Sequence, residues 1–590
     1  MRNEAPQVQP TKYAVFADFS GGMDTQSARY GLDEKKAAWM ENLQPIAANK
    51  LQGIPGPAVP LQTIAGKTIV KEFYFNFGQS TDYVISFTSD GGGYATQNPG
   101  GNTIQFAPAG TFSGNPPDCT QLGTQRLLIA DSFAGYCTWD TSVFAHQGTV
   151  SPNIIVTVGG SGYTAPVITT TGGSGSGDTY SVQLSGGVIV GITLLTPGIG
   201  FLSTDTLTVV ITDASGTSAT ANAHVWPFIS PPPTTVGYGF GRVWLGSGDT
   251  LICTGTGSAT YGAGYDDFLS ADGSVTTTIS DADLVHTITA LRFLEGYLYI
   301  IGDGSVKFIG GVTVSSGVTN FTVTPLSSDQ GTIYRDTIVS FNRLVLFANS
   351  VGVYAIFGAS VEKISDPMDG IFQAINFSNF PPSAATIDLA NIRSYCLLVS
   401  YNDPVQGNRS LILAFQNKKW FVVNQGTSVK CICGAIINGV RYVFSSSGSD
   451  ITQIMINTTI PVAYKLQTSL SPAGDIIHDK RVLRAAVAQT VNATSDMTVI
   501  VDSENGSSNA NLVNQAAIMT IVNNAQQVMT FVNNFAQIMQ FTAKGFVASR
   551  SANLSQTGRW IGATLTGTLN AIQIHNVILE FSPAAAWGKQ

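Results

Sequence analysis

One pattern constrains this chain more than any other. A turn residue is followed by four to six β-formers, a short polar gap and a second β-run, and the unit recurs. It starts at Thr81 (TDYVISFTSDGGGYAT) and near Gln125 (QRLLIADSFAGYCTW). It returns at Gly241 (GRVWLGSGDTLICT), Gly296 (GYLYIIGDGSVKFIG), Asn342 (NRLVLFANSVGVYAIFG), Tyr395 (YCLLVSYNDPVQGNRSLILAF) and Gly439 (GVRYVFSSSGSDITQIM). Each copy reads as a β-hairpin with a buried apolar face. The last five starts are spaced by roughly 50 residues, and hairpins repeating at that interval are the signature of propeller blades. The expected fold is all-β: a β-propeller of about seven blades over 61–150 and 227–456.

The interval between Gln125 and Gly241 is too long for one blade. Within it lies a compositionally distinct stretch, 151–226, whose removal leaves one ordinary step. It reads as an inserted β module, and it is internally duplicated. Gly160-Ser161-Gly162-Tyr163 is echoed by Gly198-Ile199-Gly200-Phe201, each followed by β-runs. Two small units packed face to face are expected, with Tyr163 and Phe201 as candidate partner contacts. Residues 1–60 form an N-terminal arm or platform segment. Leu32, Trp39, Met40 and Leu43 fit one face of a short helix opening near Asp33. From 457 to 590 the chain is again strand-like and reads as a C-terminal β domain.

Inside that domain, 513–541 carries a ten-residue echo: Met519, Met529 and Met539, with Asn523 and Asn533 in the matching Asn-Asn pairs. Asn-Asn between β-runs favours turns, hence a small meander or projecting loop; its Ala and Gln content leaves a helix as the alternative. These five residues are candidates for lining a channel gate, against the plainer reading of core strands. Trp587 is a candidate interface anchor or a local buried aromatic.

Charge and chemistry narrow the function. Only 11% of the 590 residues are charged and aromatics reach 10%. Disordered chains are charge-rich and aromatic-poor, so disorder is excluded. No apolar run reaches the length of a membrane helix, and the N-terminus lacks an apolar signal core. A net charge of −8 argues against gripping DNA through its phosphates. The six cysteines are scattered; Cys431-x-Cys433 places two thiols on one strand face, but no second pair or nearby histidine completes a zinc site. Gly237, Gly239 and Gly241 precede a strand rather than a helix, so they read as a turn and not a dinucleotide loop. Asp266-Asp267 and Asp281/Asp283 are acid pairs in loop-like sequence that leave a glycosidase open. No catalytic, cofactor or metal residues stand out.

Several segments carry a resemblance to the tail nozzle proteins (tail tubular protein B, or distal tail-hub proteins) of short-tailed, podovirus-type bacteriophages. The opening Phe19-Ser20-Gly21-Gly22-Met23, with Glu41-Asn42-Leu43 and Gly53-Ile54-Pro55-Gly56, is similar to their N-terminal segment. The stretch from GRVWLGSGDTLICT through GSVKFIGG, and GTIYRDTIVSFNRLVLFANSVGVYAIFGASVEKISDPMDGIF, resemble their central blades. Arg559-Trp560-Ile561-Gly562 through Ala586-Trp587 resembles their closing β module. The likeness covers 1–60, 235–375 and 555–590 best. It implies a structural virion protein with no enzymatic step and no cofactor, assembled in the host cytoplasm into the phage tail. The implied partners are further copies of the chain in a hexameric ring, the tail adaptor protein and tail fibres. Viral double-stranded DNA would pass through without specific binding, and no segment would span a membrane. The alternative is a propeller enzyme or receptor-binding protein acting on host surface glycans, since propellers host both.

Overall fold

In the computed structural model, strands take up 59% of the chain and helix 3%, so the protein is all-β as expected. The structure describes residues 11–586 apart from 79–80, 98–99, 259–260, 263, 280–286, 316, 359, 427, 492–494, 515–530, 533–537, 540–545 and 570–571.

In five of the sheets a two-residue turn leads from a first strand into the hairpin seen in the sequence. Consecutive residues at positive φ occur at Phe240–Gly241, Glu295–Gly296, Asn342–Arg343, Ala390–Asn391 and Asn438–Gly439. Such type I′ turns match the right-handed twist of paired strands. The sixth hairpin, read from Tyr395, is Ile392–Asp403 paired with Gly407–Gln416, and the turn at Ala390–Asn391 joins it to the strand Ser383–Leu389 before it. Each hairpin gains two further antiparallel strands. The resulting sheets run over 69–107, 118–145, 235–278, 288–327, 339–363 and 383–423. The seventh has three strands from 431–454, and its fourth is Gln62–Thr63, with Asp450 opposite Thr63.

These sheets stack in sequence, which explains their apolar runs. In the second sheet, Leu127 and Ile129 pack with Phe75 and Trp139 against the first sheet, whereas Leu128 and Ala130 pack with Leu245 of the third. In the fourth, Leu298 and Ile300 join Trp244 of the third, and Tyr299 and Ile301 join Phe347 of the fifth. A strand covered on both faces loses the alternation of a half-buried one. The last sheet packs on the first through Cys433, Phe444 and Val84. Aromatic rings fill the first joint: Trp139 lies 5.0 Å from Phe106 and meets Tyr83 edge-on at 5.3 Å.

The two ends of the chain share sheets. Lys12–Phe16 and Lys50–Gly53 both pair with Gln573–Ala586, which also pairs with His478–Val491. The sixth sheet continues from Lys419–Val423 through Lys36–Glu41 to Val462–Thr468, Ile561–Leu569, Ser495–Ser503 and Gly506–Asn514. Val487 and Leu579 of one layer pack in a common core with Val499 and Leu565 of the other. The helix expected after Asp33 is instead a strand. Asp33 does cap a turn, accepting from the Lys35 N–H at 2.9 Å. Lys36–Glu41 then pairs with Val462–Thr468, and a bulge between Ala37 and Trp39 breaks the alternation so that the apolar spacing mimics a helix.

Strands between Ile155 and Asn222 pair only with one another. They do not form two units face to face. Ile155–Ser161 pairs with Thr217–Asn222, and Val167–Thr171 with Thr208–Thr212, so the halves interlock.

Candidate functional site

The first strands of six of the seven sheets converge on one cavity of about 510 Å³, lined by Lys71, Glu72, Cys119, Arg292, Asp336 and Cys433 among others. A second hollow of about 430 Å³ shares Arg335 and Asp336 with it. Charged side chains at this junction hold the first strands together.

Asp118 is the hub, and it is fully buried. Its carboxylate accepts from the N–H of Cys119 at 3.0 Å, the Thr235 hydroxyl at 2.6 Å and the Val236 N–H at 3.0 Å. Arg292 grips both oxygens at 3.0 and 3.2 Å, and Arg335 Nε lies 3.7 Å away. Burial alone would raise the acid's pKa; Arg292, Arg335 and Lys71 outweigh it and hold it well below the usual carboxylate range. Arg335 also donates to the carbonyls of Thr234 (2.6 Å) and Pro116. Lys71 pairs with Asp336. These contacts link the first, second, third, fourth and fifth sheets beside the cavity.

Glu72 is different. It is 3% exposed, neither oxygen has a hydrogen-bond partner among the described residues, and burial drives its carboxyl well above the usual range. The nearby thiols are held protonated by burial too: Cys119 is pushed up to about 12, and Cys431 and Cys433 rise well above their ordinary value. A thiol so placed is a poor nucleophile. All six cysteines are buried and free, and no metal-binding group of three His, Cys, Asp or Glu occurs among the described residues.

A second polar cluster fixes the module's base. Asp266 accepts from the Asn153 amide at 2.9 Å and from the Ser151 hydroxyl, and its Oδ2 meets His224 Nε2 at 2.8 Å. Serine and imidazole share one carboxylate oxygen, so the hydroxyl is not aimed at a base as a nucleophile requires. The arrangement clamps both chains leading into 155–222. Of the other acid pair, Asp281 and Asp283 lie outside the described residues. Gly237 and Gly239 lie in the strand before the turn at Gly241; a Cβ on Gly239 would come 2.4 Å from the Phe293 ring, so these glycines let neighbouring sheets approach.

The partner-contact candidates in the module sit inside it. Tyr163 and Phe201 are each 5% exposed. The Tyr163 ring covers Gly216, where a Cβ would come within 2.1 Å, and Phe201 covers Gly175, at 2.5 Å. The echoed motif thus places an aromatic lid on the other half's glycines, which leaves neither ring on the surface. Of the gate candidates, Met519, Asn523, Met529 and Asn533 lie outside the described residues, as does Trp587. Met539 lies in Ile538–Met539, whose backbone pairs with Phe531–Val532. The structure therefore brings together charged residues that sequence reading passed over. The signal in the sequence is a charge interrupting an apolar run, such as Lys71-Glu72 between Ile69-Val70 and Phe73-Tyr74-Phe75, or Arg292 between Leu291 and Phe293, in a chain with few charges.

No protein-family model matches the sequence, and no curated protein does.

Proposed function

We propose that the chain is a seven-bladed propeller with an inserted module and a platform built from both ends, and that it serves as a phage tail nozzle. In this reading six copies form a ring below the portal and its adaptor, close the DNA channel, and conduct the genome out during infection. The role is structural, in the virion, with the adaptor and tail fibres as partners. One observation carries the reading: the distant segments that resemble nozzle proteins, 1–60 and 555–590, meet. Arg29 donates to the carbonyls of Thr468 (2.7 Å) and Ala563 (3.2 Å), and Tyr30 lies 6.3 Å from Trp560. The order of the sheets supports the propeller, since the seventh packs on the first and borrows Gln62–Thr63. The ion pairs that tie the first strands across their junction support a passage between copies rather than through one. No helix among the described residues is long and apolar enough to cross a membrane.

Electron microscopy of the chain mixed with its tail adaptor protein tests this. Coaxial stacking of the two rings is expected. Failure to associate, together with polysaccharide cleavage by the chain alone, would favour the glycan-directed reading instead.

A further inference from the structure

Turns of the fifth, sixth and seventh sheets bring three arginines to one hollow. Arg343 sits in its turn, and Arg393 and Arg441 each follow theirs by two residues. All three line an open concavity of about 460 Å³. Arg441 and Ser340 also line the central cavity, so the hollow opens beside it. Lysine and arginine number only 29 in the chain, and three arginines converge here.

Their charge is incompletely balanced. Asp388 lies 3.5 Å from Arg393 Nε and accepts from the Arg441 backbone N–H at 3.3 Å. Glu295, 56% exposed, is 3.8 Å from Arg343 Nε, an outer contact that water screens. The Arg441 guanidinium makes no ion pair among the described residues. Asn342 Oδ1 accepts from Arg393 Nη1 at 3.3 Å and ties its guanidinium to the turn that carries Arg343.

We propose that this hollow binds a compact phosphate-bearing ligand, a phosphomonoester or a diphosphate. Guanidinium forks match the oxygens of a tetrahedral anion bidentately. Three forks around one concavity suit a small dianion. A duplex is instead held by cations strung along its backbone, and this chain's net charge of −8 opposes it. The proposal is independent of the conduit reading.

Titration calorimetry of the full chain with inorganic pyrophosphate tests it. Saturable one-site binding that weakens with salt is expected. Arg441→Gln should reduce affinity about tenfold, the loss of one charge-assisted hydrogen bond or more. Arg343→Gln should also weaken binding; with 86% of its side chain exposed, that variant keeps the wild-type fold and melting temperature. A hexose phosphate as a second titrant separates a sugar-borne phosphate from a free one, and either preference supports the site. Absence of saturable binding, equal binding by both variants, or tighter binding of a short DNA duplex through the same arginines would overturn it.

Discussion

At the scale of single residues, the account rests on Asp118 and the cations around it. Removing one member of a buried pair strands the other charge, at a cost of about 3–5 kcal/mol. Asp118→Ala should therefore lower the melting temperature sharply, whereas Asp336→Ala, whose side chain is 21% exposed, should cost less. Because the Asp118 pKa is depressed on folding, its contribution is full at neutral pH and is lost only as pH falls below the ordinary carboxylate range. Asp267 has the opposite sign. Burial pushes it up to about 6, with Asp272 adding to the rise and the Leu269 N–H opposing it. A carboxyl whose pKa is raised on folding stabilises below its unfolded value of about 4 and ceases to as pH rises through 6. Melting temperatures across pH 4 to 7 should show this loss in the wild type, and Asp267→Asn should remove it and melt higher at pH 7.

At the scale of elements, the turns and the module give separable tests. Ala390 holds φ at 47° in a type I′ turn, where a Cβ is strained and where the seventh sheet uses Asn438-Gly439. Replacing Ala390-Asn391 by Asn-Gly should stabilise the protein by about 1 kcal/mol, read as a raised melting temperature. Gly216→Ala would drive a Cβ into the Tyr163 ring. Hydrogen exchange should then accelerate in 155–222 while Leu128 and Trp244 in the stacked sheets stay protected. Asp266→Ala should expose both chains at the module's base to protease without unfolding either side.

The hairpins are legible in the sequence because turn residues at positive φ, such as Gly241, Gly296 and Gly439, precede apolar runs, and because runs such as Leu127–Ala130 are apolar on both faces. The insertion was legible from its Gly-Ser composition and its echo. The interlocking of its halves was not, since a repeated motif shows what each copy contains but not which copy its strands pair with. The Lys36–Glu41 strand reads as helix in the sequence because a bulge shifts Trp39 and Met40 out of alternation. The ion network is not legible in the sequence because Lys71, Asp118, Arg292 and Arg335 are far apart along the chain, and only the order of the sheets makes them neighbours. The arginine hollow is hidden for the same reason.

Across the whole molecule, the chain ends are woven into two packed layers, and ion pairs bridge the junction where the stacked sheets meet. If DNA passes this protein, it passes between copies. The strands of the inserted module pair with one another alone, so, if the chain is the nozzle proposed above, deleting 153–223 should leave ring assembly intact and alter attachment of fibres or adsorption to the host; particle imaging and adsorption assays read the two outcomes separately. Native mass measurement of the purified full chain, with imaging of the same sample, decides whether the proposed ring exists. A particle of six chains of 62.1 kDa around a passage formed between them is expected. A single 62.1 kDa species at every concentration, with no passage at its centre, would contradict it.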